Sequence, residues 1–211
     1  MIIIAFAGIA RSGKTTAANL VAEWAKDKNL NPVICSFAGP IKRAAAYLGI
    51  TKDKDPVLYR KTLQRWGETR RNVSFRPGIT GPHYWTNKVV EDIVKHAQAE
   101  KAHYRRLEGL GMSDLFKETI LLFDDLRYLN ELQLVQGLNG VVVYVDGARR
   151  QTDITAEWRQ HESEALAMSY TFGLIPDGVF DYYVPNNTTE ANFKSMVGDL
   201  ASIWVDAEVL T

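Results

Sequence analysis

The chain has 211 residues, 46% of them apolar, with 25 lysines and arginines against 25 aspartates and glutamates. That length suits one α/β domain with an elaboration, or at most two small domains. Balanced charge gives no overall field for nucleic acid or a membrane surface, so any anion has to be held by local clusters of lysine and arginine.

The first element is the apolar run Ile2 to Ala7, read as a buried strand. The chain therefore opens on a core strand rather than on a charged leader, and no apolar run approaches the ~18 residues of a membrane span. A cytoplasmic protein is expected, without nucleic-acid or membrane partners. Directly after this run, Gly8, Gly13, Lys14 and Thr15 fill the pattern G-x-x-x-x-G-K-[ST], and the helix-forming run Thr16 to Lys26 follows. Strand before and helix after is the context that this motif requires. Glycines let the backbone curl round phosphates with its N–H groups inward, and the following helix adds the positive end of its dipole. Lys14 reaches the β and γ phosphates, and Thr15 is placed to ligate magnesium. Arg11, Ser12 and Thr16 complete the expected nucleotide-binding set.

A helix is predicted over Ala17 to Lys26 and a second buried strand over Pro32 to Phe37. Cys35, the one cysteine, lies in that strand and is expected to be a buried, inert thiol. Pro40 to Leu48 reads as a helix with proline at its start, where a missing N–H does no harm. Trp85, Val89, Ile93 and Ala97 recur every fourth residue and mark a longer amphipathic helix. Residues 98–113 fit three readings: an extension of that helix, an excursion, or an oligomer contact compatible with a homodimer. Further strands are predicted at Thr119 to Asp124, Val141 to Val145 and Phe180 to Val184. A last helix is expected to open with Asn187 as N-cap and Glu190 three residues on. His83, His96, His103 and His161 show no spacing that would make a zinc site.

Strands alternating with helices behind a phosphate loop predict an α/β, three-layer fold, with a five-stranded parallel sheet, helices on both faces and ligands at the carboxyl ends of the strands. One domain over 1–211 is expected, with an acceptor-binding helical segment at about 40–115 and a lid at about 147–170.

Three classes of protein carry such a loop: a kinase for a small acceptor, a nucleotide switch, and an ATPase motor or binding subunit. A GTP switch needs an Asn-Lys-x-Asp motif on a later strand, and none is present. Leu121 to Asp125, apolar residues followed by an acidic pair, also fits a motor. Elsewhere lie two basic clusters, one from Arg60 to Arg71 and one at Arg149, Arg150 and Arg159. Guanidinium forks suit the charge of a phosphate monoester and of a transferring phosphoryl group. Taken singly, such arginines are often solvated helix faces paired with acids.

Several stretches, in order along nearly the whole chain, resemble the deoxynucleoside monophosphate kinases of bacteriophages and some bacteria. Besides the loop, Ser36-Phe37-Ala38-Gly39-Pro40-Ile41-Lys42 looks like that family's Phe-Ala-Asp-Pro-Leu-Lys turn. Arg60-x-x-Leu63-Gln64-x-x-Gly67-x-Thr69-Arg70 resembles its Arg-x-x-Leu-Gln-x-x-Gly-Thr segment, and Tyr84-Trp85-Thr86-Asn87 the start of its central helix. Asp125-Leu126-Arg127-Tyr128-x-Asn130-Glu131 is similar to its Asp-x-Arg-Phe-x-Asn-Glu stretch, and His161-x-Ser163-Glu164 to its lid. Gly39 in place of Asp, and Glu68 ahead of the threonine, depart from the family pattern and bear on base selectivity.

The resemblance implies phosphoryl transfer from ATP, with Mg2+, to a nucleoside monophosphate. Lys14, Asp125, Arg127 and Arg150 would be catalytic, and Thr15, Asp124 and Asp125 would serve the metal, with Asp124 and Asp125 as rivals. Lys42, Arg60, Gln64, Trp66, Thr69, Arg70, Trp85, Arg127 and Glu131 would line the acceptor site, with Gln64 as base reader. Arg149, Arg150 and Arg159 would form a lid that excludes water. Related kinases for dephospho-coenzyme A or phosphomevalonate share the loop and the lid and differ in the acceptor segment.

Overall fold

The computed structural model describes residues 1–72, 81–147, 165–171, 174, 176, 178–187 and 189–206. In chain order the elements are β1 (Ile2–Ala7), α1 (Lys14–Asp27), β2 (Asn31–Cys35), α2 (Gly39–Tyr47), α3 (Pro56–Asn72) and α4 (Tyr84–Gly109). A 3₁₀ turn at Ser113–Leu115 leads to β3 (Thr119–Leu126), α5 (Leu129–Gly137), β4 (Val141–Asp146), α6 (Ala165–Thr171), β5 (Tyr182–Pro185) and α7 (Glu190–Asp206). The chain divides into two compact units, Phe37–Lys101 and the remainder, Met1–Ser36 with Ala102–Thr211.

The larger unit is a five-stranded sheet in the order β2-β3-β1-β4-β5, with every neighbouring pair parallel. On one face, Ala17, Ala18, Val21 and Ala25 of α1 join Phe193, Val197, Leu200 and Trp204 of α7 over Ile4, Phe6, Leu122 and Val143. On the other, α5 packs on β1 and β4, where Val135 closes to within 2.8 Å of the point at which a Cβ on Gly140 would stand. The result is the three-layer α/β fold expected. Strand order reverses at β1, since β2 and β3 lie to one side and β4 and β5 to the other. Loops that leave the sheet at such a point diverge and open a crevice for ligands. The glycine loop leaves β1 there.

Sequence and structure differ at several boundaries. β2 is an edge strand, and Ile34 stands 43% exposed. Cys35 is accordingly half-buried rather than sealed in the core. The last strand starts at Tyr182 and not at Phe180, because Asp181 binds Val142 twice beforehand: its N–H donates to the Val142 carbonyl (2.9 Å) and its carboxylate accepts the Val142 N–H (2.7 Å). Helix α7 is capped by Thr189, whose hydroxyl accepts the Asn192 N–H (3.3 Å), in place of Asn187. The segment 98–113 resolves into the last turns of α4 and a stop at Gly111, with residues 101–106 exposed.

The smaller unit is helical. Asp55 caps α3, its carboxylate accepting the N–H groups of Val57 (3.0 Å) and Leu58 (2.8 Å), with Pro56 as the first helical residue. Helix α3 packs on α2, and the Trp85 indole N–H donates to the Gly67 carbonyl (3.3 Å), joining α4 to α3. Arg43 of α2 pairs with Asp92 of α4.

Candidate active site

The loop between β1 and α1 is shaped by two glycines that no other residue could replace. Gly8 has φ +136, and a Cβ there would lie 2.3 Å from the Val145 carbonyl oxygen. Gly13 has φ +104, and its Cβ would lie 2.4 Å from the Asn186 amide nitrogen. Arg11, between them, is also left-handed at φ 62, an uncommon conformation for a residue with a side chain, held here by the loop on either side. Gly147, after β4, touches the loop directly, since its Cβ would stand 2.6 Å from the Ser12 Cα. Helix α1 starts at Lys14 with no acidic residue in its first turn and, among the described residues, no side-chain cap, which leaves its amides and dipole to an anion.

Lys14 is buried, 6% exposed, and its ammonium donates to the Gly8 (2.7 Å) and Ile9 (2.6 Å) carbonyls. A cation is thereby fixed inside the curl of the loop. Thr15 and Thr16 are exposed beside it. The Thr15 hydroxyl donates to Asp124 (2.8 Å), so the loop hydroxyl and the carboxylate at the end of β3 share one place. These are hard oxygen donors, few in number, which is the donor set that magnesium takes when phosphates supply its remaining ligands. Among the described residues no three of His, Cys, Asp and Glu gather into a cage.

Asp124 and Asp125 lie together in a bulge of β3. Ala5 pairs with Phe123 and Ala7 with Leu126, so β3 uses one residue more than β1 over that interval. Such an insertion breaks strict alternation and re-aims side chains. Asp124 meets Thr15 beyond β1, and Asp125 accepts a hydrogen bond from the Ser36 hydroxyl beyond β2. Ser36 had no expected role at the site, although it stands in the quoted Ser36 to Lys42 stretch.

Arg127 follows the bulge, half-buried. Glu131, expected against substrate, is 5% exposed and caps α5: its carboxylate accepts the Arg127 N–H (2.7 Å) and the Tyr128 N–H (3.1 Å). Its burial is explained by that structural task, which also fixes the backbone carrying Arg127.

Across the end of β5 runs a second polar group. Tyr183 and Asn187 (3.4 Å) both donate to Asp146, at the end of β4. Burial, and secondarily this bond to the carboxylate, push the Tyr183 phenol well above its ordinary range. Asn186 is 6% exposed, donates from Nδ2 to the Ser12 carbonyl (2.8 Å), and receives none of its importance from any motif in the sequence.

Apart from Arg127 and Glu131, the acceptor candidates belong to the helical unit. Arg60, Thr69 and Arg70 are exposed on α3, Gln64 and Trp66 are half-buried there, and Lys42 is half-buried on α2. Arg60 and Gln64, four apart, lie on one face of α3. The Arg70 guanidinium sits over the Tyr84 ring, 5.3 Å from its centroid. Trp85 is tied into the α3–α4 packing through its indole N–H and stands edge-on to Tyr84 at 4.8 Å. Its structural role is therefore in view, whatever else it contacts. Arg149, Arg150, Arg159 and the segment His161 to Glu164 lie outside the described residues.

No protein-family model matches the chain, and no curated protein does. Solved structures do. A shikimate kinase from Acinetobacter baumannii in complex with shikimate is 14% identical, with a TM-score of 0.48 over 98% of this chain and 94% of that one. A sugar kinase from Janibacter is 12% identical, with a TM-score of 0.46 over 98% and 95%. The Mycobacterium tuberculosis APS kinase CysC, in complex with AMPPNP and APS, is 12% identical, with a TM-score of 0.36 over 97% and 95%.

Proposed function

We propose that the protein transfers the γ-phosphoryl group of ATP to a nucleoside monophosphate, a deoxynucleotide by the resemblance above, giving the diphosphate and ADP. The observation that carries the transfer chemistry is the joint placement of Lys14 in the glycine curl and of Thr15 against Asp124 at the point where strand order reverses. A phosphate-binding amide cradle, an internal cation and a magnesium-compatible oxygen pair are the parts such a reaction needs. The acceptor is read from the Arg60 to Arg70 segment of α3, whose order of Arg, Leu-Gln, Gly, Thr and Arg no general phosphate motif requires.

In this reading the loop amides and Lys14 hold the donor phosphates and spread the charge that builds on them. Thr15 and Asp124 would hold magnesium, which would supply positive charge to the donor phosphates. Asp125, held by Ser36, accepts the proton or orients water at the acceptor side, and Arg127 grips the acceptor phosphate. Arg60, Gln64, Thr69 and Arg70 bind the monophosphate, and Arg149, Arg150 and Arg159 close over the reacting group. Transfer is direct and in line, with positioning and charge neutralisation supplying most of the acceleration.

The test is an acceptor screen. Purified protein with magnesium ATP and each nucleoside or deoxynucleoside monophosphate should form ADP well above the rate with no acceptor. ADP formation with dephospho-coenzyme A or phosphomevalonate alone would reassign the acceptor. Slow hydrolysis indifferent to every small acceptor would favour a nucleotide-dependent binding protein and overturn the kinase reading.

A further inference from the structure

Two glycines and a lysine define the loop in the sequence, yet the loop is also held from a residue 174 positions away. Asn186 follows β5. Its backbone N–H donates to the Asp146 carbonyl (2.6 Å), continuing the β4–β5 ladder by one rung. That rung points its side chain into the loop, where Nδ2 donates to the Ser12 carbonyl (2.8 Å) and lies where a Cβ of Gly13 would stand. The Ser12 carbonyl belongs to the peptide that carries the Gly13 N–H. Fixing one end of that peptide fixes the direction of the other, and of the first amides of α1 beyond it.

The other polar atom of the side chain makes no such bond. Asn186 Oδ1 is buried with no hydrogen-bond partner among the described residues, and so is Ser12 Oγ. A buried acceptor without a partner weakens a fold compared with an apolar side chain of the same size. An apolar residue here would remove that orphaned acceptor and would leave the Ser12 carbonyl without this donor. What only an amide supplies here is a donor aimed at the Ser12 carbonyl.

We infer that Asn186 is a positioning residue for nucleotide phosphates: it orients the Ser12–Gly13 peptide so that the loop amides converge on one point. This rests on the nucleotide-binding part of the proposed function and on none of its acceptor chemistry. Asn186→Asp keeps the volume and replaces the donor by an oxygen facing an oxygen. Asn186→Ala removes the donor and the orphaned acceptor together.

Titration of full-length protein with magnesium ADP should show the dissociation constant rising at least about tenfold for both variants, with Asn186→Asp the worse. Thermal midpoint for Asn186→Ala should stay within a few degrees of wild type. Amide hydrogen exchange of residues 9–15 without nucleotide should quicken in both, while β1 and β4 keep their protection. A merely structural asparagine predicts the reverse, a lowered midpoint with unchanged ADP affinity and loop exchange, and that result overturns the inference. Wild-type protein that fails to bind magnesium ADP would sink the proposed function instead, and the exchange measurement would still decide whether Asn186 orders the loop.

Discussion

Lys14 is a surface residue by type and a buried one in fact, 6% exposed with its ammonium on two loop carbonyls. Truncation to alanine would therefore remove packing and loop hydrogen bonds together with the charge. Lys14→Met keeps the aliphatic stem, so it isolates the cation. Turnover should fall at least about a hundredfold, with near-wild-type circular dichroism. A rate within a factor of a few of wild type would refute the role given to Lys14. For the acidic pair, both residues stand in the bulge and differ in partner, Thr15 for Asp124 and Ser36 for Asp125. Asp124→Ala should raise the magnesium concentration for half-maximal rate by about 10–100-fold. Asp125→Ala should leave that concentration nearly unchanged and lower the rate at saturating magnesium. Equal shifts in both would mean that the metal is shared. The sequence left these two carboxylates as rivals because it encodes apolar alternation and not where alternation slips by one residue.

Helix ends show what local sequence specifies and what it conceals. Four helices stop the same way, with a left-handed residue followed by a bond back to the last turn: Asn29, Gly49, Gly111 and Asn139 at φ 60, 73, 68 and 53. The closing bonds are Leu30 to Ala25, Ile50 to Ala45, Met112 to Leu107 and Gly140 to Val135, each donated by the later residue's N–H at 2.9 or 3.0 Å. Gly49 has open space where its Cβ would go, so Gly49→Ala incurs only the left-handed strain and should lower stability by about 1–2 kcal/mol, read by urea denaturation. Helix starts were less legible. Asp55-Pro56, capping residue and first-turn proline, announces α3, yet the density of cations behind it draws the eye to chemistry instead. Asn187 and Thr189 both suit a cap, and only the path of the chain after β5 chooses Thr189. At β5 the apolar Phe180 is buried without being a strand residue, since burial and ladder pairing are separate properties.

On the scale of the molecule, the glycine loop belongs to the sheet unit and Arg60, Gln64, Thr69 and Arg70 to the helical unit, and kinetics can exploit that. Arg60→Ala and Arg70→Ala, both in the helical unit, should raise the acceptor KM about tenfold or more, the worth of a charge-assisted hydrogen bond to phosphate. Neither should alter magnesium ADP affinity. A change in ADP affinity from either would show that the two sets are not independent. The parallel sheet and the loop follow from sequence because buried parallel strands and a phosphate loop have strong local signatures. Ser36 and Asn186 do not, since what matters about each is a partner 89 or 174 residues away. Strand β2 illustrates the same gap: its apolar composition reads as interior, and only its place at the border of the sheet exposes it.

That border has one more consequence. The Asn31 N–H points inward, to the Glu118 carbonyl, so by the alternation of a strand Pro32 faces the free side. An intruding strand from another copy would need a donor there, and proline has none. Beside the exposed Ile34, this gap in the ladder acts as a guard against polymerisation along an otherwise open seam.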